Sequence, residues 1–107
     1  MRRVIREIID LSTGHIPPTG GPSCWQPVPP KAVFNTTVKV NGALVIVEGD
    51  PYNLIVPEHN CGSNKHPPGV AIGTGTVFIG GRRIIGSGDP ISCGDFAGNG
   101  SQNVFVK

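Results

Sequence analysis

The chain has 107 residues, which is enough for one small domain with a modest core. It contains 16 glycines and 11 prolines, and because both residues interrupt helices, this composition disfavours long helices. The formal net charge is only +2, and the basic residues are not interleaved with aromatic ones, which excludes a typical nucleic-acid-binding surface. No apolar run has the length of a membrane span, and the N-terminus lacks the continuous apolar stretch of a secretory signal. We therefore expect synthesis in the cytoplasm, where disulfides are disfavoured.

The first predicted element is the N-terminal segment 2–10, RRVIREIID. Its apolar residues have the spacing of a short amphipathic helix, but an isolated helix of that length is marginal in water. The other interpretation is a β-strand that ends at Asp10 and finds its partner strand elsewhere in the chain.

The next elements are an internal repeat. Residues 37–51 (TVKVNGALVIVEGDP) align without a gap with residues 76–90 (TVFIGGRRIIGSGDP), at an offset of 39 residues. Asn41-Gly42 and Gly80-Gly81 are hairpin signals, because a type I′ turn needs positive φ at both central positions. Each copy is therefore predicted to form a strand, a tight turn, a second strand and a Gly-Asp-Pro stop, in which the aspartate accepts hydrogen bonds from nearby backbone N–H groups.

The last element, NVFVK at 103–107, matches the first strand of each copy and has no second strand after it. Segment 2–10 has no first strand before it and ends in an aspartate, as the two complete copies do. Two unpaired strands that complete each other are a more economical account than a lone helix. We predict a third hairpin, made of 103–107 plus 2–10, and one all-β pseudo-threefold domain over 1–107.

Three long loops rich in glycine and proline follow the three aspartates. Loops of this length are uncommon in a small domain unless they are functional or held in place by further contacts. The histidines and cysteines lie only in these loops. If the hairpins surround a pseudo-threefold axis, the loop starts converge at one end of it. Three imidazoles and one thiolate suit tetrahedral zinc, and four protein ligands leave no open position for a catalytic water. We predict one structural Zn²⁺ per chain, held by His15, His59, His66 and Cys93.

Other interpretations of these side chains remain open. His59 and His66 could be ordinary loop histidines, and Cys93 could be a small buried residue. Cys61 lies two residues after His59 and could replace one of the named ligands, while Cys24 could pair with Cys61 in an oxidising medium. A cysteine and a histidine could form a nucleophile and its base, but no protease or phosphate-binding motif accompanies them, so we assign no catalytic residue.

The segment 74–94, which contains TVFIGGRRIIGSGDPISCG, resembles the PAAR-repeat proteins. That family carries segments of the form T-V-F-I-N-G-x-P-A-A-R-x-G-D, followed by S-C-G or by histidines. STGH at 12–15 and EHNC at 58–61 also resemble its histidine and cysteine loops. The likeness covers essentially the whole chain, but the Pro-Ala-Ala-Arg tetrad is replaced, for example by RIIG at 83–86, which indicates a diverged member.

The resemblance implies a small cone-shaped domain that caps a trimeric VgrG-like spike, one copy per trimer, with zinc near the tip. Carried over residue by residue, the ligands are again His15, His59, His66 and Cys93. It implies a non-enzymatic tip of a contractile injection machine, such as a type VI secretion system, a contractile phage tail or a related extracellular device. Such a tip pierces the target envelope, contacts the target membrane transiently and can carry effector cargo. Because the chain begins and ends within the repeat, we expect a bare tip without a toxin domain.

The strand pattern also predicts a partner surface. Alternation places Val38, Val40, Val77, Ile79, Val104 and Val106 on the inner face of the hairpins. Lys39, Phe78 and Phe105 then point outward, and the two phenylalanines are the candidate spike-binding residues. A small zinc-dependent hydrolase acting on an envelope component and a free zinc-stabilised binding module are the competing functions. An open metal coordination position would favour the hydrolase.

Overall fold

A computed structural model describes residues 2–13, 28–52 and 69–106. Within these ranges every regular element is a two-residue β-strand, and none is a helix. The expected all-β class is therefore confirmed for this part of the chain. The strands are β1 (Arg2–Arg3), β2 (Lys39–Val40), β3 (Ala43–Leu44), β4 (Pro51–Tyr52), β5 (Gly69–Val70), β6 (Phe78–Ile79), β7 (Arg82–Arg83) and β8 (Phe105–Val106).

The two complete repeat copies form the predicted hairpins. Strand β2 pairs antiparallel with β3, and β6 pairs antiparallel with β7. The turn residues Asn41 and Gly42 have φ values of 52° and 83°, and Gly80 and Gly81 have 57° and 82°. Positive φ at both central positions is the requirement of a type I′ turn, so the turn chemistry read from the sequence is confirmed.

The third hairpin joins the two ends of the described chain. Strand β1 pairs antiparallel with β8, with Arg3 opposite Phe105 and Arg2 opposite Val106. The register is that of the other hairpins, in which Leu44 lies opposite Lys39 and Arg83 opposite Phe78. The strand interpretation of the N-terminal segment is confirmed by this pairing, and the helical one is wrong.

A closed ring of backbone hydrogen bonds joins the three hairpins. The N–H of Ile5 donates to the C=O of Ile85 (3.1 Å), that of Ile85 to Ile46 (2.9 Å) and that of Ile46 to Ile5 (3.0 Å). All three side chains are fully buried. A second set of backbone bonds repeats the pattern two residues after each isoleucine. The N–H of Glu7 donates to the C=O of Leu44, that of Glu48 to Arg83 and that of Ser87 to Arg3. The three hairpins are therefore related by an approximate threefold arrangement of their main chains.

The ring separates two apolar clusters. The hairpin cluster contains Val4, Val45 and Val106, with Val40, Ile79, Ile84 and Val104 packed against it. The loop cluster is centred on Ile5, Ile46 and Ile85 and also contains Val28, Ala32, Tyr52, Ala71, Ile91 and Ala97. Neighbouring residues such as Val45 and Ile46 belong to different clusters because successive strand side chains point to opposite faces.

Each hairpin is followed by a buried aspartate that closes a turn. The Oδ2 atom accepts a hydrogen bond from a backbone N–H three or four residues earlier, in the pairs Val47–Asp50 (2.8 Å), Gly86–Asp89 (2.9 Å) and Arg6–Asp10 (2.9 Å). Asp10 also pairs with the guanidinium of Arg6, and Asp89 with that of Arg2. A buried carboxylate is tolerated only when such partners replace its water, so the turn role expected for these aspartates is confirmed.

The turn before the aspartate contains one residue under backbone strain. Ile8 has a φ of 68°, whereas its repeat equivalents are Gly49 (91°) and Gly88 (87°). Each of the three donates its N–H to a backbone C=O later in the sequence. The left-handed region costs an L-residue roughly 1–2 kcal/mol, and a β-branched side chain makes it less favourable still.

Replacing Ile8 with glycine should raise the free energy of unfolding by about 1 kcal/mol, because strain is removed and little buried surface is lost. Ile9→Gly is the matched control, since Ile9 is equally exposed (54% against 53%) and does not have positive φ. That control should lower stability by roughly 0.5–1 kcal/mol. Urea unfolding of both variants makes the comparison, and equal losses of stability would show that Ile8 is not strained.

Candidate metal centre

One of the four predicted ligands, Cys93, belongs to the described part of the chain. His15, His59 and His66 lie outside the described residues, as do the alternative cysteines Cys24 and Cys61. Within 2–13, 28–52 and 69–106, no group of three or more His, Cys, Asp or Glu side chains is arranged to hold a metal ion. The four-ligand set therefore stays a prediction, and the structure bears on it through the residues that surround Cys93.

Two of the long loops have a stem, in which a residue near the start of the loop pairs with a residue near its end. In the first stem, the N–H of Ser12 donates to the C=O of Val28 (2.9 Å), and the N–H of Val28 donates to the Ser12 hydroxyl (3.0 Å). In the second stem, Tyr52 of β4 lies opposite Gly69 of β5. The starts of these loops are therefore fixed by the fold.

Cys93 lies in a tight turn, residues 91–95, which we call the thiol turn. The N–H of Gly94 donates to the C=O of Ile91 (2.9 Å), and the N–H of Ile91 donates to the C=O of Asp95 (2.8 Å). The cysteine is half-buried and packs against the loop cluster. Burial raises the pKa of the Cys93 thiol, and a bound cation would reverse this preference because it stabilises the thiolate.

The thiol turn contacts both stems. The hydroxyl of Thr13, the residue after Ser12, donates to Asp95 Oδ1 at 2.6 Å. A Cβ atom added to Gly69 would lie 2.9 Å from Cys93 Sγ, so the sulfur sits directly against the second stem. The thiol turn therefore lies against Thr13, near the start of the first loop, and against Gly69, where the chain leaves the second loop.

A buried hydroxyl lies in the same region. Tyr52 is a fully buried side chain of the loop cluster, and its hydroxyl makes no hydrogen bond within residues 2–13, 28–52 and 69–106. Burial raises the pKa of Tyr52 most, and the charge of Asp95 raises it next, followed by the charges of Asp10, Asp89 and Asp50. The phenol is therefore held in its neutral form.

Sequence reasoning missed Tyr52 and Asp95 as members of this region. Asp95 could have been noticed, because it is the one aspartate of the chain that does not stand at a repeat stop. Tyr52 offered a weaker signal, since a single tyrosine after Asp50-Pro51 is equally typical of an ordinary core residue.

Reach along the chain is compatible with a metal centre at the thiol turn. His15 follows Thr13 by two residues, and His66 precedes Gly69 by three. Two or three residues span at most about 7–11 Å, so both histidines belong to segments whose ends touch the thiol turn. A thiolate and imidazoles are the ligands that zinc prefers, so the donor types in these segments fit that metal.

The other end of the domain carries an apolar cavity of about 360 Å³ between the three hairpins. Its lining includes three valines at equivalent repeat positions, Val38, Val77 and Val104. Phe105 also lines it, although alternation predicted that this side chain points outward. The inner-face assignment of Val38 and Val77 holds, but their exposed fractions are 41% and 40%, so the cavity is open to solvent. Phe78 is exposed on the hairpin flank, where the Arg83 guanidinium lies 5.0 Å from its ring centroid.

No model of a known protein family matches the chain, and no curated protein matches it. Nowhere in the described residues is there a helix long and apolar enough to cross a bilayer. What the described residues define is a structural class, a small all-β domain of three short hairpins joined by backbone hydrogen bonds.

The contact between Gly69 and Cys93 can be tested by Gly69→Ala. The added methyl group would lie 2.7 Å from Ile91 Cγ2 and 2.9 Å from Cys93 Sγ, so at least these two side chains must move. Overpacking of this kind should lower the free energy of unfolding by roughly 1–3 kcal/mol, measured by urea denaturation. Val70→Ala, at the exposed neighbouring position, should cost less than about 0.5 kcal/mol. Equal effects of the two substitutions would contradict the close packing.

Proposed function

We propose that the chain is a non-enzymatic, cone-shaped tip that caps the trimeric spike of a contractile injection machine. The observation that carries the proposal is the closed hydrogen-bond ring through Ile5, Ile46 and Ile85. A monomer with three similar hairpins can present three similar edges, and so one copy saturates a trimer of identical chains. The sequence resemblance to PAAR-repeat proteins supplies the kind of partner, a VgrG-like spike.

The hairpin end suits such a partner. Three equivalent valines, Val38, Val77 and Val104, surround an open apolar cavity on this side of the ring. An exposed apolar surface of this kind is typical of a surface that another protein covers. The two-stranded hairpins next to it would allow the partner to extend the hydrogen bonding by β-augmentation. The contact would therefore combine apolar burial with main-chain bonds, which suits a tip that bears load.

The loop end suits a structural metal. The proposed ligands of one Zn²⁺ per chain are His15, His59, His66 and Cys93. A domain of this size buries little apolar surface, and small folds are commonly stabilised by a metal. With four protein ligands the zinc would hold the three loops together and would not activate a water molecule. The tip would be made in the cytoplasm, assembled on the machine and delivered into the target envelope, with transient membrane contact and possible effector cargo.

The metal proposal predicts about one zinc per chain in protein purified without metal supplementation, measured by elemental analysis. Zinc ligation linked to folding contributes on the order of 10 kcal/mol, so chelation should strongly lower the melting temperature of a domain whose whole stability is roughly 5–15 kcal/mol. Cys93→Ser should lose the zinc and Cys61→Ser should keep it. The reverse result would make Cys61 the ligand, and protein without any stoichiometric transition metal would refute the proposal.

The docking proposal predicts one copy of this chain per spike trimer. The measurement is native mass spectrometry of the chain co-expressed with the VgrG-like trimer of the same genome. Val77→Asp places a charge in the apolar cavity and should weaken the complex at least about tenfold. Val70→Asp is the matched control, because Val70 is equally exposed (42% against 40%) but pairs with Pro51 at the loop end.

Phe105→Asp and Phe78→Asp are a second matched pair. Phe105 lines the cavity, and Phe78 lies on the flank beside Arg83, so the first substitution should weaken docking more than the second. Three copies per trimer, or no complex with the unmodified chain, would reject the docking mechanism.

A further inference from the structure

Asp95 links the first stem to the thiol turn. It is a buried carboxylate, 1% exposed, whose Oδ1 accepts from the Thr13 hydroxyl at 2.6 Å and from the backbone N–H of Phe96 at 2.7 Å. The main chain reinforces this link, because the N–H of Thr13 donates to the C=O of Phe96 (3.0 Å). The residues at the two ends of the Thr13–Asp95 bond are 82 positions apart in the sequence.

The other buried aspartates stand at the turns that follow the hairpins. Asp10, Asp50 and Asp89 each accept from a backbone N–H three or four residues earlier. Asp89 also accepts from the Thr74 hydroxyl at 2.6 Å, so a buried aspartate that joins two segments through a threonine occurs twice among the described residues. Asp95 stands two residues after Cys93 and spans two of the loops. Burying a carboxylate is costly, and the hydrogen bonds that Asp95 accepts offset the loss of its hydration.

The second stem meets the thiol turn through apolar packing. Tyr52 of this stem belongs to the same buried cluster as Ile91 of the thiol turn. Tyr52 is paired with Gly69, and Gly69 packs against the sulfur of Cys93. Both stems therefore meet at the thiol turn, the first through the Thr13–Asp95 hydrogen bond and the second through Gly69.

We infer that Asp95 and Thr13 are positioning residues of the proposed zinc site, an inference that rests on the metal part of the proposed function. Their hydrogen bond holds the start of the first loop, two residues before His15, at the turn that carries Cys93. Two ligand-bearing segments are then near each other before metal binds, and less ordering entropy opposes binding. Outer partners that orient metal ligands typically contribute roughly 10- to 100-fold to affinity.

The test uses three variants of the full chain. Thr13→Val keeps the shape of the side chain and removes the hydroxyl donor, at an exposed position where unfolding is not expected. Thr13→Ser restores the hydroxyl. Thr76→Val makes the same threonine-to-valine change at an exposed hairpin residue and is the matched control. Zinc affinity is measured by competition with a chromophoric chelator, and Co²⁺ is substituted to record the thiolate-to-cobalt absorption band.

The expected result is a roughly 10-fold or larger loss of zinc affinity and an altered cobalt band for Thr13→Val, with both restored in Thr13→Ser and unchanged in Thr76→Val. A lower melting temperature without a change in the cobalt band would indicate a merely structural role and would overturn the inference. Equal zinc affinity of Thr13→Val and the unmodified chain would overturn it as well. If the unmodified chain itself binds no zinc, the metal part of the proposed function fails first, and the inference fails with it.

Discussion

Everything else in the domain depends on the closed ring of main-chain hydrogen bonds through Ile5, Ile46 and Ile85. Each isoleucine donates to one neighbour and accepts from the other, so no pair of hairpins can satisfy the ring alone. Removing one hairpin would leave a buried N–H and a buried C=O without partners, and each such group costs roughly 1–3 kcal/mol. Because the three side chains are also fully buried, the ring combines hydrogen bonding and apolar burial at the same three positions.

The ring also divides the domain into two ends of different chemistry. On the hairpin side, valines at equivalent positions leave an apolar cavity that solvent reaches. On the loop side, buried aspartates, a half-buried thiol and a buried phenol lie near the starts of the long loops. The proposed partner contact and the proposed metal centre therefore need not compete for the same residues, which is what a small tip protein requires.

Local chemistry made much of this fold predictable. The Asn41-Gly42 and Gly80-Gly81 turns follow from positive φ, and the pairing of β1 with β8 follows from comparing incomplete repeats with complete ones. The strain at Ile8 was not predictable, since its sequence position resembles a strand residue and only the repeat geometry imposes the glycine-like φ. Alternation assigned Val38 and Val77 to the inner face but could not say that this face is uncovered. The Thr13–Asp95 bond could not be predicted from a local pattern, because its residues are too distant in the sequence. The four-ligand zinc site stays a prediction, since three of its ligands lie outside the described residues.

The pairing of β1 with β8 has a consequence for how the protein is made. During translation the first strand leaves the ribosome long before its partner, Phe105–Val106, has been synthesised. Until that partner emerges, β1 lacks the strand with which it pairs in the folded domain. Long-range contacts of this kind form slowly, because a long loop must close first. Cooperative folding of the domain can therefore begin only after Phe105–Val106 has been synthesised, and until then the nascent chain exposes apolar residues of its future core.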